Sequence, residues 1–232
     1  SETSTDDVEG KGINFSTKRP NEEHIKSSLK NFKGTINQRP PNFSAVKVNG
    51  ERAYKIARLG KEPELSIREV KVLKFKLEKI INKDTSDFSI KCEKGTYIRS
   101  LIRDLGRDLE VFAHVKDLRR TSVGIFLVKN SISLEQLEKV AQSVAEKRVI
   151  LPIHAPLSKL SVINLKKSYS EKIVNGIQIP VKEILGKNLE SELYNGDLII
   201  AQYENVPIAI CFFEKGNLKP KRVFNIWYFG DY

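Results

Sequence analysis

The feature that most constrains the fold is a change of hydrophobic period near residue 94. Apolar side chains alternate over Val70–Leu77 and over Phe88–Cys92, which predicts the two strands of a hairpin. The alternation slips by one residue inside the first strand, so we expect a β-bulge there. Polar residues 81–87 are expected to form the turn. Over residues 94–110 the period becomes helical, and one face carries Ile98, Leu101, Ile102, Leu105 and Leu109.

The first sixty residues carry signals for two helices and one tight turn. Asn21 precedes two acidic residues that suit the positive end of a helix dipole, and Gly34 is expected to end that helix. Asn49-Gly50 is a strong signal for a tight turn between strands. The apolar spacing that begins at Ala53 predicts a short helix.

A further strand and a further helix are expected after residue 110. The alternation over Val123–Leu127 predicts a strand. Ser133 and Gln136 have the spacing of a capping box, in which each side chain bonds the backbone of the other. The helix that this box opens is expected to run to about Lys147.

Pro152 and Pro156 break the helical pattern, so we place a domain boundary between residues 151 and 152. The part that follows is predicted to contain mostly short strands, with one helix around Ser170–Val174. This pattern is typical of a small β-barrel-like module. The predicted strands are Leu160–Leu165, Asp197–Tyr203, Ile208–Phe213 and Arg222–Trp227.

The charge of the chain favours polyanionic partners. The formal net charge is +11, of which residues 1–150 contribute +9 (30 basic, 21 acidic) and residues 151–232 contribute +2 (10 basic, 8 acidic). RNA, DNA or an acidic membrane are therefore the natural partners. The two cysteines lie far apart in apolar runs, which favours a reducing cytosol, and no Cys/His spacing resembles a metal site. The longest apolar run, Val206–Phe213, is too short to span a bilayer.

The junction between strand and helix at Lys94–Arg99 is the best candidate site. Thr96 is expected to cap the helix by accepting a bond from a free amide. Tyr97 offers a ring that can stack on a nucleobase, and Arg99 offers a fork of donors for a carboxylate or phosphate. The alternative is structural: a capped helix with Tyr97 in the core and Arg99 on a solvated face.

Three arginines recur at every fourth position of that helix. Arg99 stands at the helix start, where cations are disfavoured, and this misfit suggests a specific acidic partner. Arg103 and Arg107 are interpreted as part of a solvent-exposed face laced with charge. Asp104 and Asp108 are close enough to pair with members of this row.

Two further segments combine basic residues in ways that suit RNA. Gln38–Arg58 interleaves five basic residues with Phe43 and Tyr54, a composition typical of surfaces for single-stranded or looped RNA. Both rings can equally be core residues. Arg119 and Arg120 are adjacent, as arginines that bind phosphates often are, although such pairs are also common on ordinary surfaces.

Three long segments carry a family resemblance. They are Phe32–Gly50 with Ala53-Tyr54 and Ala57-Arg58, then Lys94–Leu101 with Arg103–Gly106, then Leu118–Gly124. In order and spacing they resemble the three motifs of the TruB family of tRNA pseudouridine synthases. The resemblance runs from about Thr3 to about residue 150, and the last 80 or so residues resemble the PUA-type domain of this family.

The resemblance implies a fold and an activity. The fold would be α+β, with a pseudouridine synthase catalytic domain over residues 1–151, built on a mixed, mostly antiparallel sheet with helices, and a PUA-like RNA-binding β-barrel over residues 152–232. The activity would be conversion of uridine 55 in the T loop of tRNA to pseudouridine. The base is flipped out, detached, rotated and rejoined through carbon, without a metal, nucleotide or organic cofactor. The intact protein would be a cytoplasmic monomer that binds the T stem-loop and no membrane.

The resemblance also implies roles for single residues. Tyr97 would pack on the target base and assist proton removal, and Arg99 would pair with the catalytic aspartate of the family. Leu118 would line the base pocket. The basic residues that would contact the substrate are Lys47, Arg58, Lys94, Arg119 and Arg120.

One departure from the family pattern concerns the nucleophile. The family aspartate stands in a Gly-x-Leu-Asp motif, and none of the nine aspartates here has that context. We therefore expect an N-terminal truncation and a chain that is inactive by itself. Two alternatives stay open. One is a non-catalytic RNA-binding or tRNA-folding module, and the other is a guide-RNA-dependent relative, against which the bacterial form of Asn42–Gly50 argues.

Overall fold

The computed structural model describes residues 1–141, 151–185 and 193–224, and the chain divides into two compact units, Ser1–Arg119 and Arg120–Tyr232. Both units mix helices with strands, as expected for the α+β class. The first unit contains, in chain order, β1 (Glu2–Thr3), β2 (Gly12–Asn14), α1 (Glu22–Ser28), a 3-10 turn (Leu29–Phe32), β3 (Gly34–Gln38), β4 (Lys47–Val48), β5 (Glu51–Arg52), α2 (Ala53–Arg58), β6 (Arg68–Asn82), β7 (Thr85–Cys92) and α3 (Ile98–Asp108).

The core of the first unit lies between helices and a three-stranded antiparallel sheet of order β3-β6-β7. Alternate residues of β6 are buried, and the phase slips between Val72 and Phe75, where the register with β7 shifts. The predicted bulge is therefore confirmed. It keeps apolar side chains of a long strand on one face. The buried residues of this core are Ile25, Leu29, Val72, Phe75, Leu77, Leu101 and Leu105.

The predicted turn of the hairpin over residues 81–87 is wrong in extent. β6 continues to Asn82 and β7 begins at Thr85, so only two residues form the turn. Asn82 Oδ1 accepts a hydrogen bond from the Asp84 amide (2.9 Å), which closes the turn locally. Polar residues continue the ladder here because this end of the hairpin is exposed, and polarity alone does not end a strand.

Three local signals of the first sixty residues are confirmed, whereas α1 ends at Ser28 and a 3-10 turn to Phe32 follows, so the α-helix stops before the predicted end at Gly34. Asn21 caps α1 by accepting a hydrogen bond from the His24 amide (2.8 Å). Asn49 and Gly50 both take positive φ (50° and 86°) between β4 and β5, as the tight hairpin turn requires. The short helix predicted from Ala53 is α2.

The described elements of the second unit are, in chain order, β8 (Ser122–Val123), β9 (Phe126–Leu127), a 3-10 turn (Val128–Asn130), α4 (Leu134–Ala141), a 3-10 turn (Ala155–Leu157), β10 (Ser161–Asn164), α5 (Lys167–Val174), β11 (Ile179–Pro180), α6 (Val181–Leu185), β12 (Leu198–Tyr203), β13 (Val206–Glu214) and β14 (Asn217–Val223). Among these, five strands form a sheet of order β10-β12-β13-β14-β11, in which the β10-β12 pair is parallel and the others are antiparallel. Helix α5 packs on this sheet through Ile173, which is fully buried with Ile199, Ala209 and Leu218 of the core.

The capping box of the second unit is confirmed, since the Ser133 amide donates to Gln136 Oε1 (2.9 Å) and the Gln136 amide donates to Ser133 Oγ (3.1 Å). How far α4 extends toward Lys147 lies outside the described residues. The single strand predicted over 123–127 is wrong: positive φ at Gly124 turns the chain, so β8 and β9 form a small hairpin.

The last predicted strand of the second unit begins earlier than expected. β14 starts at Asn217, directly after the turn at Lys215-Gly216, and residues 225–227 lie outside the described part of the chain. The PUA-like assignment and the boundary between residues 151 and 152 stay predictions.

Candidate functional site

Tyr97 is the N-cap residue of α3 and has extended backbone angles (φ −95°, ψ 112°). The amide of Tyr97 donates to Gln38 Oε1 (2.8 Å), and Gln38 Nε2 donates to the carbonyl oxygen of Tyr97 (3.1 Å). The predicted cap by Thr96 is wrong, because its buried Oγ1 has no hydrogen-bond partner among the described residues. The side chain of Gln38, at the end of β3, therefore bonds both the amide and the carbonyl of the N-cap residue Tyr97.

The ring of Tyr97 lies against a small apolar cluster made by the β4-β5 region. Val46, Ala53 and Leu65 are its buried members, and Tyr97 is half-buried beside them. The segment is closed on itself by backbone bonds from Ala53 to Val46 (2.8 Å) and from Tyr54 to Ser44 (3.0 Å). Tyr97 is thus neither a full core residue nor a free surface residue.

Arg99 follows Tyr97 by two residues and is also half-buried. Its Nη1 donates to Asp7 Oδ2 (3.0 Å) and to the carbonyl of Thr5 (2.9 Å), and its Nη2 donates to the carbonyl of Phe43 (2.9 Å). The misfit at the helix start is therefore resolved by an acidic partner inside this chain. Asp7 is held in turn, since its Oδ1 accepts from Thr5 Oγ1 (2.6 Å) and from the Glu9 amide (3.1 Å).

The other two arginines of the row pair with the same N-terminal segment. Arg103 donates to Asp6 (2.9 Å), to Asp104 (2.8 Å) and to the carbonyl of Arg39 (3.0 Å). It is buried, so the interpretation of Arg103 as part of a solvated face is wrong: three acceptors replace the water it loses.

Arg107 is the last and most exposed of the three arginines, with 53% of its side chain accessible. It nevertheless donates two hydrogen bonds to the Glu2 carboxylate, of 2.5 and 3.2 Å. The bond to Glu2 raises the pKa of Arg107 above its ordinary value. Burial raises the pKa of Asp6 above its ordinary value, and the attraction of Arg103 opposes that shift without cancelling it. The three arginines of α3 thus face Asp7, Asp6 and Glu2.

That Glu2, Asp6, Asp7 and Gln38 belong to the site was not predicted from the sequence. A usable signal was present for the acids, because arginines spaced by four on one helix need carboxylates, and Glu2, Asp6 and Asp7 form the acidic segment of the N-terminus. Their partners lie 92 to 105 residues away, so no local pattern pairs them. For Gln38 no local signal exists.

Three further predicted residues, Lys47, Arg58 and Lys94, lie on chain segments next to Tyr97 or to the apolar cluster that it contacts. Lys47 is exposed on the β4-β5 hairpin, next to the cluster that contacts Tyr97, and Lys94 is exposed three residues before it. Arg58 ends α2 with its guanidinium 5.3 Å from the ring centroid of Tyr54.

Leu118 and Arg119 are both exposed and follow Val115, which pairs with Asp7 by a parallel β-bridge. Three residues span at most about 10 Å, so Leu118 stays near the Asp7 end of the site. Arg120 belongs to the second unit.

Three buried hydroxyls flank the Tyr97–Arg99 pair without a hydrogen-bond partner among the described residues. They belong to Ser44, Thr96 and Ser100, each next in sequence to a residue of the site. Buried polar groups are normally satisfied, so these three hydroxyls are exceptions next to the site. In the same described residues, no group of three or more His, Cys, Asp or Glu side chains could hold a metal ion, and no helix has the length and apolar character needed to cross a membrane.

Two family models match the chain. Residues 1–98 match the TruB family pseudouridylate synthase N-terminal domain, and residues 99–158 match the tRNA pseudouridylate synthase B C-terminal domain. Both describe one class of enzyme, the isomerases that form pseudouridine.

Relatives that match nearly the whole chain are named as one enzyme within this class, tRNA pseudouridine synthase B. The tRNA pseudouridine synthase B of Ehrlichia chaffeensis is 39% identical over 228 residues, covering 96% of this chain and 74% of that protein. The enzyme of the same name from Bartonella henselae is 37% identical over 239 residues, covering 97% and 73%. The chain belongs to the TruB family of pseudouridine synthases.

Solved structures agree on the fold. A chain of a Cbf5-Nop10-Gar1 complex superposes with a TM-score of 0.65 at 25% identity, covering 89% of this chain and 63% of that one. A chain of an H/ACA RNP bound to a substrate RNA gives a TM-score of 0.64 at 23% identity, covering 90% and 63%, and shares the fold alone. The chain thus spans less than two thirds of these solved chains.

Proposed function

We propose that this protein converts uridine 55 in the T loop of tRNA to pseudouridine. In this isomerisation the bond between N1 and the ribose C1′ breaks, the uracil rotates, and a bond between C5 and C1′ forms. The C5 hydrogen leaves as a proton, and N1 ends with a proton in place of its bond to C1′. The observation that carries the proposal is the pair Tyr97–Arg99, a half-buried ring and a half-buried guanidinium held two residues apart at the start of α3.

Tyr97 would receive the extruded uracil. Base flipping costs a few kcal/mol of unstacking, and a stacked aromatic ring returns about 1–3 kcal/mol. A ring that is half-buried against Val46 and Ala53 is already ordered before the base arrives, so little rotamer entropy opposes the contact. Its hydroxyl would assist removal of the C5 proton.

Arg99 would hold the catalytic carboxylate of the family ionised. A guanidinium has five N–H donors, and three of those of Arg99 are used by Asp7, Thr5 and Phe43. The Nε–H and one N–H of Nη2 meet no acceptor among the described residues and suit a second carboxylate. An arginine beside a carboxylate favours its charged form, which the glycosidic step requires.

The basic residues would contact phosphates around the flipped base. We assign this role to Lys47, Arg58, Lys94, Arg119 and Arg120, and assign Leu118 to the wall of the base pocket. The charge excess of residues 1–150 supports it, since phosphate contacts dominate RNA affinity. We further propose that residues 152–232 form a PUA-like RNA-binding domain and that the protein acts as a cytoplasmic monomer without a cofactor.

Residues 1–232 alone would bind RNA without turnover, because none of their aspartates stands in a Gly-x-Leu-Asp motif. A polypeptide that binds RNA without turnover would act as an RNA-binding or tRNA-folding module, which is the second candidate function. A guide-RNA-dependent activity is less favoured, because identity to the tRNA enzymes (37–39%) exceeds identity to the Cbf5 chain (25%).

The test is release of tritium from a T stem-loop labelled at C5 of uridine 55. The full-length gene product should release tritium, and Tyr97→Ala should abolish the release while changing RNA affinity little. Lys139→Ala, a change in an exposed lysine paired with Glu135, serves as the control and should retain full release. Near-normal release by Tyr97→Ala would remove Tyr97 from the site, and release by residues 1–232 alone would show that one of their own carboxylates acts.

A further inference from the structure

Gln38 is almost fully buried (2% exposed), and its side-chain amide is spent on one residue. Its oxygen accepts from the amide of Tyr97 (2.8 Å) and its nitrogen donates to the carbonyl of Tyr97 (3.1 Å). Two antiparallel hydrogen bonds to one residue fix both the position and the rotation of its backbone, and therefore the direction in which the side chain leaves it.

The residue that follows Gln38 is held to the same helix. The carbonyl of Arg39 accepts from Arg103 Nη2 (3.0 Å), and Arg103 is itself held by Asp6. Gln38 also pairs with Arg68 in the sheet. The end of β3 is therefore attached to α3 at positions 97 and 103 and to β6 on its other side, which makes Gln38 part of a rigid element.

Within the helix the Leu101 amide also donates to the Tyr97 carbonyl (3.1 Å), but among the described residues no neighbouring side chain bonds the Tyr97 backbone. Tyr97 is the cap residue of α3 and makes no capping bond with its own side chain, and Thr96 Oγ1 has no partner in the part of the chain that the structure describes. Helices usually begin with a nearby serine, threonine or aspartate that caps the first free amides. Here the start of α3 depends on a side chain 59 residues away in sequence.

We infer that Gln38 is a positioning residue for Tyr97, which sets the ring at the place where the extruded uracil stacks. The inference rests on the proposed function of Tyr97. Gln38 touches the Tyr97 backbone and has no contact of its own with the reacting atoms, so its loss acts on catalysis through the ring. Misplacement of a reacting group by 1 Å costs on the order of 100-fold in rate.

The first variant is Gln38→Met, which keeps the shape of the side chain and removes both hydrogen bonds. In the full-length gene product we expect kcat for tritium release to fall about 10- to 100-fold, with KM changed less than about threefold, because the phosphate contacts remain. The amide of Tyr97 should exchange with solvent faster, which reports the lost bond directly.

The matched control is Ser28→Ala. Ser28 is also buried and also bonds α3, through Asp108 (2.5 Å) at the far end of the helix. Its loss should lower stability while kcat and the exchange of the Tyr97 amide stay near wild type. Equal losses of kcat in Gln38→Met and Ser28→Ala would overturn the inference, because they would reflect destabilisation of α3 as a whole.

A second variant decides the matter if Gln38→Met does not fold. Gln38→Glu keeps the acceptor for the Tyr97 amide and removes the donor to its carbonyl, so kcat should fall while that amide stays protected. Wild-type kcat in either folded variant, or a rise of KM alone, overturns the inference.

The parallel Tyr97→Ala assay separates the two levels of the proposal. Full tritium release by Tyr97→Ala would contradict the proposed function. An inactive Tyr97→Ala together with a fully active Gln38→Met would contradict only the role of Gln38.

Discussion

Arg103 donates a hydrogen bond from Nη1 to Asp6 Oδ2 across 2.9 Å, and both side chains are only 9% exposed. This pair is the middle rung of three that join α3 to the N-terminal segment, between Arg99–Asp7 and Arg107–Glu2. A buried charge is tolerated only when it is paired and bonded, so the rungs fix the position of the segment against the helix. Arg99, the arginine of the candidate site, thus belongs to the same set of three ion pairs that holds the N-terminal segment against α3.

The Asp6–Arg103 pair predicts a pH dependence of stability. Burial raises the pKa of Asp6, so the folded chain binds a proton there at a higher pH than the unfolded chain does. The contribution of Asp6 to the free energy of unfolding should therefore fall as pH rises from about 3.8 through the folded pKa, and then stay constant.

Urea titrations of wild type and Asp6→Asn at several pH values measure this contribution. The wild-type free energy of unfolding minus that of Asp6→Asn should decrease as pH rises through that window. An increase of the difference with pH would mean that the pKa of Asp6 is lowered in the folded chain.

Gly106→Ala should destabilise the first unit by about 1–3 kcal/mol. A Cβ at position 106 would lie 2.7 Å from both the Cβ and the amide nitrogen of Ala113. Helix propensity alone favours alanine over glycine by about 1 kcal/mol, so the sign of the effect decides between propensity and packing. Thermal unfolding provides the measurement. Gly106→Ala with Ala113→Gly should recover part of the loss, and a stabilised Gly106→Ala would refute the close packing.

Cys211 should be inert in the folded chain. It is fully buried in β13, and burial raises the pKa of its thiol to about 12. At pH 8 only about one thiol in ten thousand would be ionised, and the thiolate is the reactive form. Labelling with a thiol reagent, followed by peptide mapping, should find Cys211 unmodified until denaturant is added. Cys211→Ser identifies the signal, and rapid native labelling at Cys211 would contradict the described core.

The elements that the sequence predicts well are those encoded by neighbouring residues. The bulge within Val70–Leu77, the cap at Asn21, the turn at Asn49-Gly50 and the Ser133 box each depend on contacts within a few positions. Local chemistry determines them before the chain packs, so pattern analysis is sufficient.

The parts that escape prediction depend on distant partners. The helical pattern places Arg103 on a solvated face, but its burial is made possible by acceptors that include Asp6, 97 positions away. Thr96 is a residue type that caps helices, yet its hydroxyl makes no bond among the described residues, and Gln38 from β3 binds the backbone of the N-cap residue Tyr97 instead. In both cases the polar group bonds a residue that is distant in sequence, and the hydrophobic period of the sequence carries no information about such a contact. The sequence singles out Tyr97 and Arg99 at the helix start as candidate site residues, whereas the distant residues that hold them, Gln38 and Asp7, were not predicted.

Arg120→Ala should weaken binding of the T stem-loop in a salt-dependent way. If Arg120 neutralises one phosphate, its removal should reduce the slope of log K against log salt by about one. Filter binding by residues 1–232 between low and physiological salt measures the slope. Lys139→Ala is the matched loss of one positive charge in the same unit and should leave the slope unchanged. An unchanged slope in Arg120→Ala would show that Arg120 touches no phosphate.

The place of the target base is tested most directly by zero-length photocrosslinking. A T stem-loop with 4-thiouridine at position 55 is bound to residues 1–232, irradiated and digested with trypsin, which cuts after Lys94 and Arg99. The crosslinked base should be found on the peptide Gly95–Arg99, and Tyr97→Ala should abolish that crosslink while RNA affinity persists. A crosslink that maps only to other peptides and is unaffected by Tyr97→Ala would contradict the account.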